Sequence, residues 1–153
     1  MNRLCKLIIC ILILLVVLAG CFRDVKPYEF RQGVDQIECI EIRRKEYDSA
    51  YWNVPTILLK TLDPSEYKTL VDAVTNVPGN YLYSDPATSI GPYQIWIYYK
   101  DGEVDMIGVY NSWYILPDGD EKLDSYMFDV TQFHEMLSGF LGETVTVILP
   151  EES

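Results

Sequence analysis

The sequence predicts an α+β domain in which an antiparallel sheet packs against two helices. Two alternating runs of apolar and polar residues flank Asp101-Gly102, a pattern typical of a β-hairpin. Two capping boxes, opening at Asp63 and Asp129, each precede apolar residues at helical spacing. The predicted order of elements is β-β-α-β-β-β-α, with a possible final strand.

The first half of the domain is predicted to contain two strands and a helix. Alternation of isoleucine with charged residues defines the first strand (34–47), and a β-branched, leucine-rich run defines the second (54–62). The helix is expected to follow Asp63 and to end near Asn76, because Pro-Gly comes next. Residues 77–92 are assigned to a loop.

The hairpin is expected to span residues 93–110, with a two-residue turn at Asp101-Gly102. That turn pairs Trp96 with Ile107 and fixes which side chains share a face. Trp96 and Tyr98 then point away from the core. The predicted core face is Tyr93, Ile95, Ile97, Tyr99, Val104, Met106 and Tyr110.

The last part of the chain is predicted to add a strand, a helix and a possible second strand. Residues 113–116 form the strand, after an Asn-Ser turn. The helix is expected to run from the Asp129 cap to Gly142, a suitable C-terminal cap. Residues 144–149 could form a final short strand, and residues 150–153 are expected to fray.

The N-terminus carries the pattern of an export signal. Arg3 and Lys6 precede the apolar run Leu7 to Leu18, and the small pair Ala19-Gly20 follows. The run is shorter than the roughly 20 residues of a membrane-spanning helix. The pattern therefore favours a cleaved signal peptide over a retained transmembrane anchor.

Leu18-Ala19-Gly20-Cys21 resembles the lipobox of bacterial lipoproteins. In that family the chain is cut before the cysteine, whose thiol receives a diacylglyceryl group. The resemblance implies that residues 1–20 are a signal peptide and that Cys21 is lipidated. It implies attachment to the extracytoplasmic side of the cell membrane. The order of the domain, with Tyr93–Gly102 in its hairpin, is also similar to that of small uncharacterised lipoproteins of Gram-positive bacteria, a likeness that implies no activity.

Residues 21–33 are predicted to be a lipidated tether, because residues 22–33 show neither strand nor helix periodicity. Fully extended, those residues reach at most about 40 Å. Residues 34–153 have the size of a single domain. Once Cys21 is lipidated, Cys39 is the one free thiol of the mature chain, and its apolar surroundings predict burial.

The charge is concentrated in the domain. The signal peptide holds two of the 12 basic residues and none of the 23 acidic ones. Residues 22–33 hold three basic and two acidic residues, which leaves seven basic against 21 acidic in residues 34–153, a net charge of −14. Phosphate backbones and anionic lipids attract Lys and Arg. This balance excludes nucleic acid as a partner and leaves membrane binding to the lipid.

No catalytic, metal or cofactor site is predicted. His134, the single histidine, has only Ser138 as a nearby nucleophile, and a packing role is favoured over catalysis. One histidine and one free cysteine in distant segments do not suit zinc. The acidic turn 118–124 is interpreted as a solvated turn rather than a calcium loop, because Lys122 occupies a ligand position of the EF-hand pattern.

The aromatic content, 12 Tyr and 3 Trp, is the remaining functional signal. If their face is uncovered, Trp96 and Tyr98 form a platform for a peptide, a glycan or a partner protein. The favoured alternative is that the second helix or the 77–92 loop covers them. The sequence therefore predicts a non-enzymatic binding or interaction module. The alternatives are an inhibitor or immunity-type protein that acts on another enzyme and, third, an envelope hydrolase.

Overall fold

The structure is a computed structural model, and it describes residues 26–47, 54–81, 91–124 and 126–145. The predicted signal peptide, Cys21 and most of the predicted final strand lie outside these ranges. Within them the chain forms two α-helices, α1 (Tyr67–Asn76) and α2 (Val130–Leu141). It also forms eight strands: β1 (Ile37–Lys45), β2 (Thr56–Thr61), β3 (Gly79–Tyr81), β4 (Tyr93–Tyr99), β5 (Val104–Gly108), β6 (Ser112–Ile115), β7 (Glu121–Asp124) and β8 (Tyr126–Phe128).

Six strands form one large sheet, in the order β2-β1-β4-β5-β6-β7. All its neighbouring strands are antiparallel. The other two strands, β3 and β8, form a small antiparallel sheet. The predicted α+β class, an antiparallel sheet with two helices, is confirmed.

One face of the large sheet carries the hydrophobic core. Both helices contribute to the same buried cluster as the isoleucines of β1 and β4. Burial of each such side chain contributes roughly 1.5–3 kcal/mol. The central members are Ile40, Ile42, Ile95 and Ile97 from the sheet, Leu70 and Val74 from α1, and Phe133 and Leu137 from α2.

A helical segment follows each predicted cap, Asp63 and Asp129, although the first segment opens as a 3-10 turn before α1. A short 3-10 turn precedes α1, and the Glu66 carboxylate accepts a 2.9 Å hydrogen bond from the main-chain N–H of Asp63. At the start of α2 the Asp129 carboxylate accepts a 2.9 Å bond from the N–H of Gln132. Gly142, with φ at +71°, ends α2 in the left-handed conformation that favours glycine.

The hairpin between β4 and β5 differs from the prediction by one residue. The main-chain N–H of Tyr99 donates to the carbonyl of Glu103 at 2.9 Å, so the loop holds three residues and not two. Gly102, with φ at +89°, takes the left-handed position that such a loop requires. Trp96 therefore pairs with Met106, one residue from its predicted partner.

This shift exchanges the two faces of β5. Val104 and Met106, predicted for the core face, share the opposite face with Trp96. Asp105 takes their place on the core face, where its partner in β4 is Ile97. A polar residue therefore occupies a position predicted to be apolar.

The small sheet and β7 are additions to the predicted order. β3 lies within the predicted 77–92 loop, and β7 continues the predicted acidic turn. Strands of three or four residues are too short to show a period in the sequence. At Gly79 a Cβ atom would lie 2.7 Å from the carbonyl oxygen of Met127, so glycine permits the close approach of β3 to β8.

Residues 26–33, assigned to the tether in the sequence, are packed against the domain. Tyr28 is only 5% exposed, and its ring centre lies 5.2 Å from that of Tyr126 and 5.4 Å from that of Phe128. The Tyr126 hydroxyl donates a 2.6 Å hydrogen bond to the carbonyl of Lys26. Any free spacer in residues 21–33 therefore ends before Tyr28.

Arg31 extends this packing to the hairpin. Its guanidinium lies 2.6 Å from the carboxylate of Glu103, 3.9 Å from that of Asp105 and 4.0 Å from the ring centre of Tyr114. The buried Asp105 also accepts a 2.7 Å hydrogen bond from the hydroxyl of Tyr99. Burial raises the pKa of Asp105 to about 6, although Tyr99 and Arg31 act to lower it.

Candidate functional site

The candidate site is the face of the large sheet opposite the two helices, named the outer face. Paired residues of neighbouring strands share a face, so the registers define its members. It combines aromatic, apolar and charged side chains on four adjacent strands. The members are Glu41 and Arg43 of β1, Gln94, Trp96 and Tyr98 of β4, Val104 and Met106 of β5, and Trp113 and Ile115 of β6.

Trp96 and Tyr98, the predicted binding residues, lie side by side on the outer face. Both are partly buried, and their ring centres are 6.2 Å apart. The predicted alternative of a covering second helix is not found, because α2 packs in the core cluster on the opposite face. The other alternative, the 77–92 loop, falls mostly on residues outside the described ranges.

Two charged residues of β1 hold these rings in place. The Arg43 guanidinium lies 4.8 Å from the Trp96 ring centre and donates to the Glu41 carboxylate through Nε at 2.8 Å and Nη2 at 2.7 Å. The same Glu41 oxygen accepts a 3.0 Å bond from the Tyr98 hydroxyl. Arg43 also donates to the Thr56 hydroxyl at 3.1 Å. The charges cancel within the pair, and each ring has a fixed polar neighbour.

The Tyr98 hydroxyl is held as a proton donor. Its partial burial, and next its hydrogen bond to the Glu41 carboxylate, raise the pKa of Tyr98 to about 12. At neutral pH the hydroxyl therefore keeps its proton and donates to Glu41.

Two members of the outer face, Gln94 and Met106, are buried. The indole N–H of Trp96 donates a 2.7 Å hydrogen bond to the side-chain carbonyl of Gln94. That bond fixes the orientation of the amide, so its NH₂ group is the one left buried without a partner. Gln94 therefore fixes the orientation of the Trp96 indole.

The residue types of the outer face match those of protein interfaces. Trp, Tyr, Met and Arg are enriched in interface cores, and Trp, Tyr and Arg dominate the energetically important positions. Trp113 and Ile115 continue the partly buried surface beyond Met106 and Val104. This arrangement can bury apolar area and orient a partner through a small number of fixed polar groups.

Cys39 also lies on the outer face, paired with Tyr98 across the two strands. It is partly exposed, where its apolar surroundings predicted burial. Its partial burial, followed by the nearby carboxylate of Glu41, raises the pKa of the Cys39 thiol. At neutral pH this thiol is therefore held in its protonated, less nucleophilic form.

His134 and Ser138 are not arranged as a catalytic pair. The imidazole is buried, with Nδ1 2.7 Å from the carbonyl of Val130 and Nε2 without a hydrogen-bond partner. The Ser138 hydroxyl donates to the main-chain carbonyl of His134 at 2.8 Å and accepts from the N–H of Val145 at 2.9 Å. The Ser138 hydroxyl therefore has a main-chain acceptor for its proton and a main-chain donor to its oxygen.

The acidic turn has the local geometry of a chain reversal. The Asp118 carboxylate accepts a 3.1 Å hydrogen bond from the N–H of Asp120, and Gly119 has φ at +87°. In the part of the chain that the structure describes, no group of three or more His, Cys, Asp or Glu side chains could hold a metal ion. The turn therefore contributes a bend between β6 and β7.

The contributions of β1 and β6 to the site were missed by sequence analysis. Alternation with Ile40 and Ile42 already places Glu41 and Arg43 on the face away from the core. The sequence does not show that β1 lies beside β4, since the two strands are separated by β2, α1 and β3. The local pattern therefore predicted which face of the sheet these residues occupy, but not which residues of other strands lie beside them.

Comparison of the chain with protein-family models, with curated proteins and with solved structures finds no match. Neither helix in the described ranges has the length and hydrophobicity needed to cross a bilayer. The outer face and the N-terminal residues are therefore the features of the chain that bear on its function.

Proposed function

We propose that this chain is a membrane-anchored, extracytoplasmic binding module that docks a protein or peptide partner on its outer face. The export signal and the lipobox-like Leu18-Ala19-Gly20-Cys21 support the anchor and the location. The aromatic and apolar surface around Trp96 supports docking. We propose no catalytic role, because the polar groups that contact the two rings are an ion pair and an amide that hold them in place.

The observation that carries the proposal is the fixed orientation of a partly exposed tryptophan. The Trp96 indole is held at its edge by Gln94 and on its face by Arg43. A side chain that is already ordered loses little conformational entropy when a partner binds. Trp96 is therefore suited to be the central contact of an interface.

The charge of the domain supports the choice of partner. Residues 34–153 carry a net charge of −14, while the Glu41 and Arg43 pair is neutral. An acidic surface around a neutral aromatic centre favours a partner with a basic rim and an apolar core. A protein or peptide can supply both.

Photo-crosslinking in intact cells tests the outer face as an interface. Tyr98 is replaced by p-benzoylphenylalanine, which keeps an aromatic ring, and Asp72 on the exposed side of α1 receives the same amino acid as a matched control. We expect discrete crosslinked products from position 98 and none from position 72. Adding Trp96→Ala should lower the yield about tenfold or more, since a central tryptophan is typically worth 2 kcal/mol or more.

Equal products from both positions, or a yield unaffected by Trp96→Ala, would remove the outer face as the interface. The identity of the product separates the two leading functions. Several envelope proteins would support a binding module. A single stoichiometric enzyme whose activity falls in the complex would support an inhibitor or immunity-type protein.

Cys21→Ser tests the anchor. We expect the variant to lose lipidation and to move from the detergent phase to the aqueous phase on detergent phase partitioning, because the acidic domain adds no membrane affinity of its own. Cys39→Ser is the matched control and should stay in the detergent phase. Unchanged partitioning of Cys21→Ser would show that the membrane attachment has another cause.

A further inference from the structure

We propose that the outward side of the small sheet, which carries Met127, lies against the lipid bilayer, and that the outer face is directed away from it. Because this contact requires a lipid on Cys21, it rests on the anchor proposed above. The partner of the outer face is then an extracytoplasmic protein or peptide beyond the membrane surface, and not the lipid-embedded part of a neighbouring protein.

The chain leaves the domain at Lys26. The Lys26 carbonyl accepts a 2.6 Å hydrogen bond from the hydroxyl of Tyr126 in β8. Two residues later the Tyr28 side chain is 5% exposed, and its ring packs on those of Tyr126 and Phe128. Lys26 itself is exposed. The point from which the chain continues towards Cys21 is therefore fixed beside the small sheet.

The small sheet lies on the helix side of the large sheet. The ring centre of Phe128 is 5.0 Å from that of Phe133 in α2, and the main-chain N–H of Phe128 donates to the carbonyl of Val109 at 2.9 Å. Tyr28 and Tyr126 belong to the same buried cluster as the apolar residues of both helices. The chain therefore leaves the domain on the side of the large sheet opposite to the outer face.

The spacer between the domain and the lipid is short. Residues 22–25 separate Lys26 from Cys21, so these two Cα atoms are at most about 18 Å apart, whatever path the spacer takes. A flexible chain of this length has a typical end-to-end distance of about 12 Å. A lipid on Cys21 therefore holds Lys26 close to the headgroup layer.

The reverse orientation would stretch this spacer. With the outer face on the bilayer, Lys26 would be raised by the spacing of two packed layers and by the side chains of the outer face, roughly 15 Å in all. Residues 22–25 would then have to be almost fully extended, with a loss of conformational entropy. The orientation with the small sheet towards the bilayer needs no such extension.

The outward side of the small sheet suits contact with lipid headgroups. Met127 is 41% exposed between two buried residues of β8, so it points away from the core, as does its partner Asn80 in β3. Its flexible apolar side chain adapts to an irregular surface. Lys26 is exposed on the adjoining segment, and the exposed Glu29 and Asp129 offset its charge. The short spacer therefore determines this contact, and electrostatic attraction does not.

Fluorescence quenching in vesicles tests the orientation. Met127→Cys and Leu58→Cys are each made in the lipidated Cys39→Ser protein, which lacks the other free thiol, and are labelled with bimane. Leu58 is a matched site, because it is 48% exposed and pairs with Arg43 of the outer face. In zwitterionic vesicles with a nitroxide on the headgroup, we expect at least about threefold stronger quenching at position 127, since the two sites lie on opposite sides of layers about 10 Å apart.

A longer spacer is the control for the cause of this difference. A flexible insertion of about 20 Gly and Ser residues after Val25 raises the typical reach to roughly 27 Å. We expect the quenching at the two positions to become similar. A difference that survives the insertion would overturn the spacer as its cause.

The native spacer separates failure of the orientation from failure of the anchor. Equal quenching, or none, at both positions of the membrane-bound protein, or stronger quenching at position 58, would overturn the orientation and leave the anchor intact. A protein that shows no quenching at either position and remains in the aqueous phase on detergent phase partitioning would overturn both.

Discussion

Replacing Tyr28 by alanine is expected to lower the free energy of unfolding by about 3–4 kcal/mol. The side chain is 5% exposed, and its ring centre lies 5.1, 5.2 and 5.4 Å from those of Phe30, Tyr126 and Phe128. Truncation would leave a cavity among three rings and remove their edge and tilted contacts. Urea unfolding at constant pH, followed by tryptophan fluorescence, measures the change.

Glu29→Ala is the matched control, because Glu29 is the exposed neighbour of Tyr28. Its effect should stay within about 0.5 kcal/mol. A loss below about 1 kcal/mol for Tyr28→Ala would show that residues 26–33 add little to the folded domain. Those residues would then be available as the spacer that the sequence predicts.

The elements best predicted from the sequence are those whose signals are local. The caps at Asp63 and Asp129 predicted where both helical segments begin, with a 3-10 turn first at Asp63, and Gly142 predicted the end of α2. Each signal depends on hydrogen bonds between residues within one helical turn. The geometry of such bonds does not depend on contacts with distant parts of the chain.

The hairpin shows where local signals are insufficient. Asp-Gly suits a two-residue turn, and it equally suits the last positions of a three-residue loop that ends in a left-handed glycine. The choice between them places either Asp105 or Met106 on the core face. The positive charge of Arg31, 74 positions before Asp105, partly stabilises the buried carboxylate. The sequence around the hairpin contains no indication of this long-range contact.

The sequence predicted the part of the outer face that depends on local alternation, and it did not predict the part that depends on long-range strand pairing. Trp96 and Tyr98 alternate with buried isoleucines, and this alternation places both side chains on the face away from the core. The prediction was therefore correct for these two residues, although the predicted register between β4 and β5 was wrong. The Arg43 contact that fixes Trp96 depends on the pairing of β1 with β4, which is long-range. Alternation therefore predicts the direction of a side chain, and the strand order decides what it contacts.

Asp105 makes the stability of the domain depend on pH. Its carboxyl is 1% exposed, and burial raises its pKa from 3.8 to about 6, against the opposing effects of Tyr99 and Arg31. The folded chain therefore binds this proton more tightly than the unfolded chain does. The contribution of Asp105 to stability is fully present below about pH 4 and is lost as pH rises through about 6. A shift of about two pKa units corresponds to at most about 3 kcal/mol.

Asp105→Asn should remove this loss of stability at neutral pH. The amide oxygen can still accept the hydrogen bond from Tyr99, and Arg31 keeps its 2.6 Å contact with Glu103, so no buried charge is left without a partner. We expect the variant to exceed the wild type in stability by about 1–2 kcal/mol at pH 7.5, with the difference closing towards pH 4. Urea unfolding of both proteins at the two pH values measures it. A variant that is less stable at pH 7.5 would mean that the ionised carboxylate is net favourable beside Arg31 and Tyr99. A difference independent of pH would mean that folding does not raise the pKa of Asp105.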